Sequence, residues 1–121
     1  MDLSSQRQYL QRATNVKHSF GGTTQETIYT APSGSDFDFV IIKDLFACDT
    51  GNQQTDLDIS IIASNAQEFF LYKEHNISAH ATEELIKGNG VILQAGEIIK
   101  GQVNHANIDL IFSVIEYAKG D

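Results

Sequence analysis

The sequence predicts an all-β fold: an antiparallel β-sandwich of about eight short strands, jelly-roll-like in its wiring, preceded by an N-terminal arm. Three observations carry this. β-branched and aromatic residues dominate from Glu26 onward, turn-forming residues recur roughly every ten residues, and beyond the arm no apolar pattern has a helical period. The spacers between strand segments are too short to hold a crossover helix, so neighbouring strands must pair antiparallel.

The chain divides at about residue 25 into an arm, residues 1–25, and a sandwich, residues 26–118. Within the arm, LSSQRQYLQRA (residues 3–13) contains good helix formers, with Leu3, Tyr9, Leu10 and Ala13 its only apolar positions, and predicts a short amphipathic helix. TNVKHSFGGTTQ, from Thr14 to Gln25, has the Gly21-Gly22 pair and clustered Thr of a linker.

In the body, ETIYTA (residues 26–31) is a strand stopped by Pro32-Ser33-Gly34-Ser35, where Pro presets φ and Gly permits a turn. FDFVIIKDLFAC (37–48) is the longest apolar run. Its first half alternates Phe37, Phe39 and Ile41 against Asp36 and Asp38, which places the first three on a buried face. Val40, Ile42 and Phe46 then fill the second face, which implies a strand covered on both sides or a bulge that changes its phase. LDISIIAS (57–64) alternates cleanly, with Leu57, Ile59 and Ile61 inward. EFFLYKEH (68–75), ELIK (84–87), residues 91–93, EIIKGQV (97–103) and IDLIFSVIEY (108–117) complete the set, with Gly88-Asn89-Gly90 as a tight turn. The expected core includes Phe39, Ile59, Ile61, Leu110 and Phe112.

At 121 residues and 13.4 kDa the chain fits one domain, and its 41% hydrophobic and 20% charged content is that of a folding protein. A formal charge of −8 opposes the counterion release on which nucleic-acid binding depends. Nucleic acid is therefore not expected as a partner. Neither is a membrane, because no run of about 18 apolar residues occurs. The N-terminus lacks the basic and apolar regions of a secretory signal, so synthesis inside a cell is expected. The single cysteine, Cys48, cannot form a disulfide within the chain.

Residues that could carry chemistry are few. His18, His75, His80 and His105 are scattered without ligand spacing. Asp36 with Asp38, and Asp56 with Asp58, stand two apart. On a strand each pair would share a face and could offer oxygens to calcium, yet neither has an EF-hand loop, and a solvated strand face explains both. Cys48 ends an apolar strand, where a buried small hydrophobe is expected rather than a thiolate. Gly88, Gly90, Gly96 and Gly101 fit turns and strand bends, and no nucleophile elbow, Walker A run or dinucleotide fingerprint occurs. No catalytic, cofactor or metal residue is assigned, and an enzyme is not expected. Phe69-Phe70 with Tyr72 would form a sugar-stacking platform if Phe70 and Tyr72 both project outward.

The segments Thr27-Ile28-Tyr29-Thr30-Ala31-Pro32-Ser33-Gly34 and Ile42-Lys43-Asp44-Leu45-Phe46-Ala47-Cys48-Asp49 resemble the opening of a group of small β-sandwich virion structural proteins from tailed bacteriophages of marine and cyanobacterial hosts. Leu93-Gln94-Ala95-Gly96-Glu97-Ile98-Ile99-Lys100 and the run from Ile108 to Tyr117 resemble that group's ending, so the similarity covers residues 27–117. The motifs describe turn and strand chemistry, a scaffold rather than a site, and bring over no catalytic residues. The resemblance implies a non-enzymatic virion structural protein assembled in the host cytoplasm, with a capsid decoration or cement protein as first choice and a neck or tail component as second. Its partners would be the major capsid protein or neck and tail proteins, together with further copies of itself, a homotrimer being favoured. A carbohydrate-binding module for host attachment is the competing class. The longer polar arm and the charged Lys73-Glu74-His75 stretch depart from the group's pattern.

Overall fold

The computed structural model describes residues 8–120 and contains nine β-strands and no helix among them. They are β1 (Gln8–Ser19), β2 (Glu26–Thr30), β3 (Phe37–Asp49), β4 (Thr55–Ile62), β5 (Glu68–Ile77), β6 (Thr82–Ile86), β7 (Val91–Leu93), β8 (Ile98–Val103) and β9 (Ile108–Gly120). Every strand expected in the body is present, and all pairings are antiparallel. The first sheet, sheet A, runs β1-β9-β3-β6 with β7 also on β3; the second, sheet B, runs β2-β8-β4-β5. With β6 and β7 counted as one interrupted edge, each sheet has four strands, and the chain crosses between the sheets in the double Greek-key order of a jelly roll.

The core lies between the sheets. Val40, Ile42, Leu45 and Ala47 of β3 and Ile108, Leu110, Phe112 and Val114 of β9 point down from sheet A onto Leu57 and Ile59 of β4 and Ile99 and Val103 of β8. Three of the five expected core residues, Ile59, Leu110 and Phe112, are fully buried. Ile61 is half-buried at the margin, beside the turn that leaves β4.

Phe39 is not in the core, and the expected phase of β3 is reversed. Its buried positions are Val40 and Ile42, whereas Phe39 stacks on Tyr117 outside sheet A, ring centroids 4.5 Å apart. Pairing of β3 with β9 imposes this phase, and a shift in register between Phe37 and Phe39 separates Phe37 from the rest. A second irregularity lies between Lys43 and Phe46, where Asp44 adopts a φ of 54°, and it carries the inward phase on to Leu45 and Ala47.

The helix expected over residues 3–13 is a strand from Gln8 on; residues 3–7 lie outside the described residues. β1 pairs with β9 at every position from Gln8↔Gly120 to Ser19↔Asp109. The edge of a long strand offers a full ladder of backbone partners, which outweighs a helix preference of a few tenths of a kcal/mol per residue. Its inward side adds Val16 and, just past its end, Phe20 to the core. Phe20 fits because residue 101 is glycine: a Cβ there would stand 2.8 Å from the ring. The segment thus joins the sandwich through one sheet edge and one aromatic anchor.

Candidate functional site

The four histidines are far apart in role. His18 Nε2 lies 2.8 Å from Glu26 Oε1, tying β1 to β2 across one side of the sandwich, and His75 Nε2 lies 2.7 Å from Glu83 Oε1, tying β5 to β6 across the other. Each side thus carries a His–Glu contact between the sheets. His80 pairs with Asn52 at 3.0 Å, and the backbone carbonyl of His105 accepts a bond from Asn107 N–H. Among the described residues no three His, Cys, Asp or Glu side chains converge as a metal site would require.

Asp56 and Asp58 do share the outer face of β4, but donors from the chain occupy them. Asp58 Oδ1 accepts Glu74 N–H at 2.6 Å and its Oδ2 faces Lys73 Nζ at 3.4 Å, while Asp56 accepts Asn76 Nδ2 at 2.9 Å. A shallow concavity of about 580 Å³ lies beside them, lined also by Gln102 and Asn104. Asp36 falls in the turn before β3 rather than on the strand, so it does not share a strand face with Asp38. The expected result of adding EDTA is an unchanged Tm; a fall of more than a few degrees would assign a cation to one of these pairs.

Cys48 is half-exposed on the outer face of sheet A, between Thr82 of β6 and Asp109 of β9, rather than buried. The core phase at this end of β3 belongs to Ala47 and Asp49. Asp49 is itself fully buried and accepts Gly51 N–H at 2.9 Å, closing the turn after β3.

The aromatic platform does not assemble. Phe70 pairs with Ser60 and faces outward with Lys73 Nζ 4.6 Å above its ring, whereas Tyr72 pairs with Ile59, turns inward and donates its hydroxyl to Leu85 O at 2.8 Å. A register shift between Ile59 and Ser60, opposite Tyr72 and Phe70, places them on opposite faces. Phe69 remains 52% exposed near the start of β5.

Two further features emerge from the folded chain. The first is a polar tie at one end of the sandwich: Tyr29 on β2 donates its hydroxyl to Glu116 Oε2 on β9 at 2.6 Å, and Arg12 on β1 bridges the other oxygen of the same carboxylate. Burial, then the hydrogen bond and charge of Glu116, push the Tyr29 phenol well above its ordinary value. A phenol held protonated stabilises fully below its unfolded value near pH 10, and that contribution is lost as pH rises beyond it. Tyr29→Phe should therefore cost about 1–2 kcal/mol at pH 8, and the gap between wild type and variant should narrow above about pH 10, as read by urea denaturation. A gap independent of pH would place the hydroxyl outside any bond to Glu116.

The second feature is an apolar surface on the outside of sheet A. Phe46 is 41% exposed, Ile111 47% and Ile92 56%, with Ile41 and Ile115 half-buried beside them. The signal was present as apolar residues in both phases of β3 and β9, but periodicity does not distinguish a covered second face from an open one.

No family model matches the chain, and no curated protein matches its sequence. Solved structures do share its fold. A protein of the Bacillus endospore appendages, from a family of disulfide-linked pili, superposes with a TM-score of 0.60 at 10% identity over 97% of this chain and 93% of that one. A chain of infectious bursal disease virus, Gx strain, superposes with a TM-score of 0.53 at 8% identity over 89% of this chain. This chain spans 32% of the viral one. A pentameric capsid protein from metagenomic phage sequences superposes with a TM-score of 0.45 at 12% identity, over 86% of this chain and 61% of that one. At these identities the first two likenesses concern the fold alone.

Proposed function

We propose that the chain is a non-enzymatic structural protein of a bacteriophage particle, a capsid decoration or cement protein that stabilises the shell through protein–protein contacts, located in the virion and assembled in the host cytoplasm. The observation that carries this reading is the jelly roll itself, wired β1-β9-β3-β6 over β2-β8-β4-β5, on which a chain of infectious bursal disease virus superposes. The resemblance of residues 27–117 to small phage sandwiches supports it from a separate direction. A net charge of −8 suits an outward surface better than one lining packaged DNA. In this reading the major capsid protein is the neighbour, and copies of the chain associate as a trimer on a symmetry axis; a place at the neck or tail is the alternative. The carbohydrate-binding reading has lost its platform, because Phe70 and Tyr72 face apart.

A pilus subunit is the second reading, favoured by the full-length likeness to the endospore appendage protein. One cysteine argues against a covalent version of it, since a subunit with a single Cys48 can be cross-linked into pairs but not into a chain. The test is a map of intact particles of the phage that encodes the chain, with the protein labelled. Label on the capsid surface, and particles that burst at lower temperature when the protein is omitted, are expected. Label absent from purified particles would overturn the reading.

A further inference from the structure

The outside of sheet A is ordered in rows by the strand registers. One row reads Glu84 on β6, Phe46 on β3, Ile111 on β9 and Lys17 on β1, and a second reads Ile92, Ile41, Ile115 and Ala13 on β7, β3, β9 and β1. The first row is acidic at one end, apolar in the middle and basic at the other. Among the described residues Glu84 and Lys17 join no salt bridge of their own. From this arrangement we infer that sheet A is a two-fold interface that binds the same face of a second copy of the chain.

The geometry follows from symmetry. A two-fold axis running along the strands between β3 and β9 lays the partner's β9 over β3 and the partner's β1 over β6, while each row stays at its own height. Phe46 then faces the partner's Ile111, Ile41 faces the partner's Ile115, and Lys17 stands over the partner's Glu84, twice by symmetry. Aligned packing of two sheets at the usual separation of about 10 Å closes the apolar rows against each other, with Lys43 facing the partner's Ser113 between the rows and Lys17 and Glu84 at the rim. Had both ends of the row been acidic, the same operation would have set like charges together in a chain already at −8. This contact uses a sheet face and leaves the strand edges open, so it coexists with the trimeric contact proposed above.

The experiment is sedimentation of the purified full chain over a concentration series, with thermal melting of each variant as a folding control. Wild type should reach twice the 13.4 kDa chain mass, or an even multiple of it. Phe46→Asp should lower association at least tenfold with an unchanged Tm. Lys17→Glu alone and Glu84→Lys alone should each weaken it, and the double exchange should restore it, a result that a merely structural role for either residue would not produce. Cys48 supplies an independent reading, since it stands on the same face, on the order of 10 Å from the partner's copy across the axis, and a short bismaleimide should cross-link wild type but not Phe46→Asp. A wild-type chain that stays monomeric or strictly trimeric at every concentration would overturn the inference, as would a double exchange that fails to rescue. A monomer in solution whose binding to particles is lost on Phe46→Asp would also overturn it, assigning the face to another virion protein and leaving the virion reading intact. Self-association by a chain absent from particles would do the reverse.

Discussion

Replacing Phe112 by alanine should destabilise the protein by about 3–5 kcal/mol, measured by urea denaturation at neutral pH. The ring is 1% exposed and lies edge-on to Tyr29, centroids 6.3 Å apart, so truncation removes a large apolar volume from the centre of β9 together with an aromatic contact between the sheets. β9 is the strand least able to relax around the gap, because it pairs with β1 on one side and β3 on the other along almost its whole length. Against a total stability of about 5–15 kcal/mol, a loss of this size takes away much of the margin of a small domain. Ile61→Ala is the internal comparison. Sequence alternation alone would assign it about 2–4 kcal/mol as a core residue, but at its half-buried position only about 1–2 kcal/mol is expected. Equal losses at the two positions would mean that the sandwich margin is as tightly packed as its centre.

Deletion of residues 2–24 should cost more than about 3 kcal/mol, a large share of the stability of a small domain. From the sequence, the polar character of this segment predicts that the body would survive alone with a similar Tm. The structure changes that expectation in two ways. The deletion strips β9 of its outer partner from Ser19 back to Gln8, and it removes Phe20, which is 5% exposed and packed against Gly101. Loss of the Phe20 ring alone is comparable to a large-to-small core substitution. The His18 contact to Glu26 and the Arg12 bridge to Glu116 leave with it. The check is a thermal melt of the truncated chain beside Phe20→Ala. A truncated protein that melts within a few degrees of wild type would show that β1 adds almost nothing to the fold and that the segment is the separable arm its polar sequence predicts.

The sequence by itself determined that the body is all-β, where eight of its strands lie, that the strands pair antiparallel and that the economical architecture is a jelly-roll-like sandwich. These are local properties: β-branched and aromatic runs such as LDISII and IDLIFSV are readable residue by residue, and Pro32, Gly34, Gly88 and Gly90 mark where the chain must turn. What it left open were choices made by partners distant in the chain. Whether residues 8–13 become helix or strand depends on an unpaired edge of β9 about a hundred residues away, and Leu10 and Ala13 carry no trace of that edge. Which phase of β3 faces inward is set by its register against β9 and by the irregularity at Asp44, so Phe39, in a run apolar on both faces, goes outward while Val40 goes in. Tyr72 and Phe70, two apart and therefore expected on one face, are separated by a register shift between β4 and β5 that no local pattern announces. The apolar surface of sheet A belongs to the same class: Phe46, Ile111 and Ile92 are ordinary strand residues in the sequence, and only the assembly of β3, β7 and β9 into one sheet, with no second layer over it, turns them into a surface.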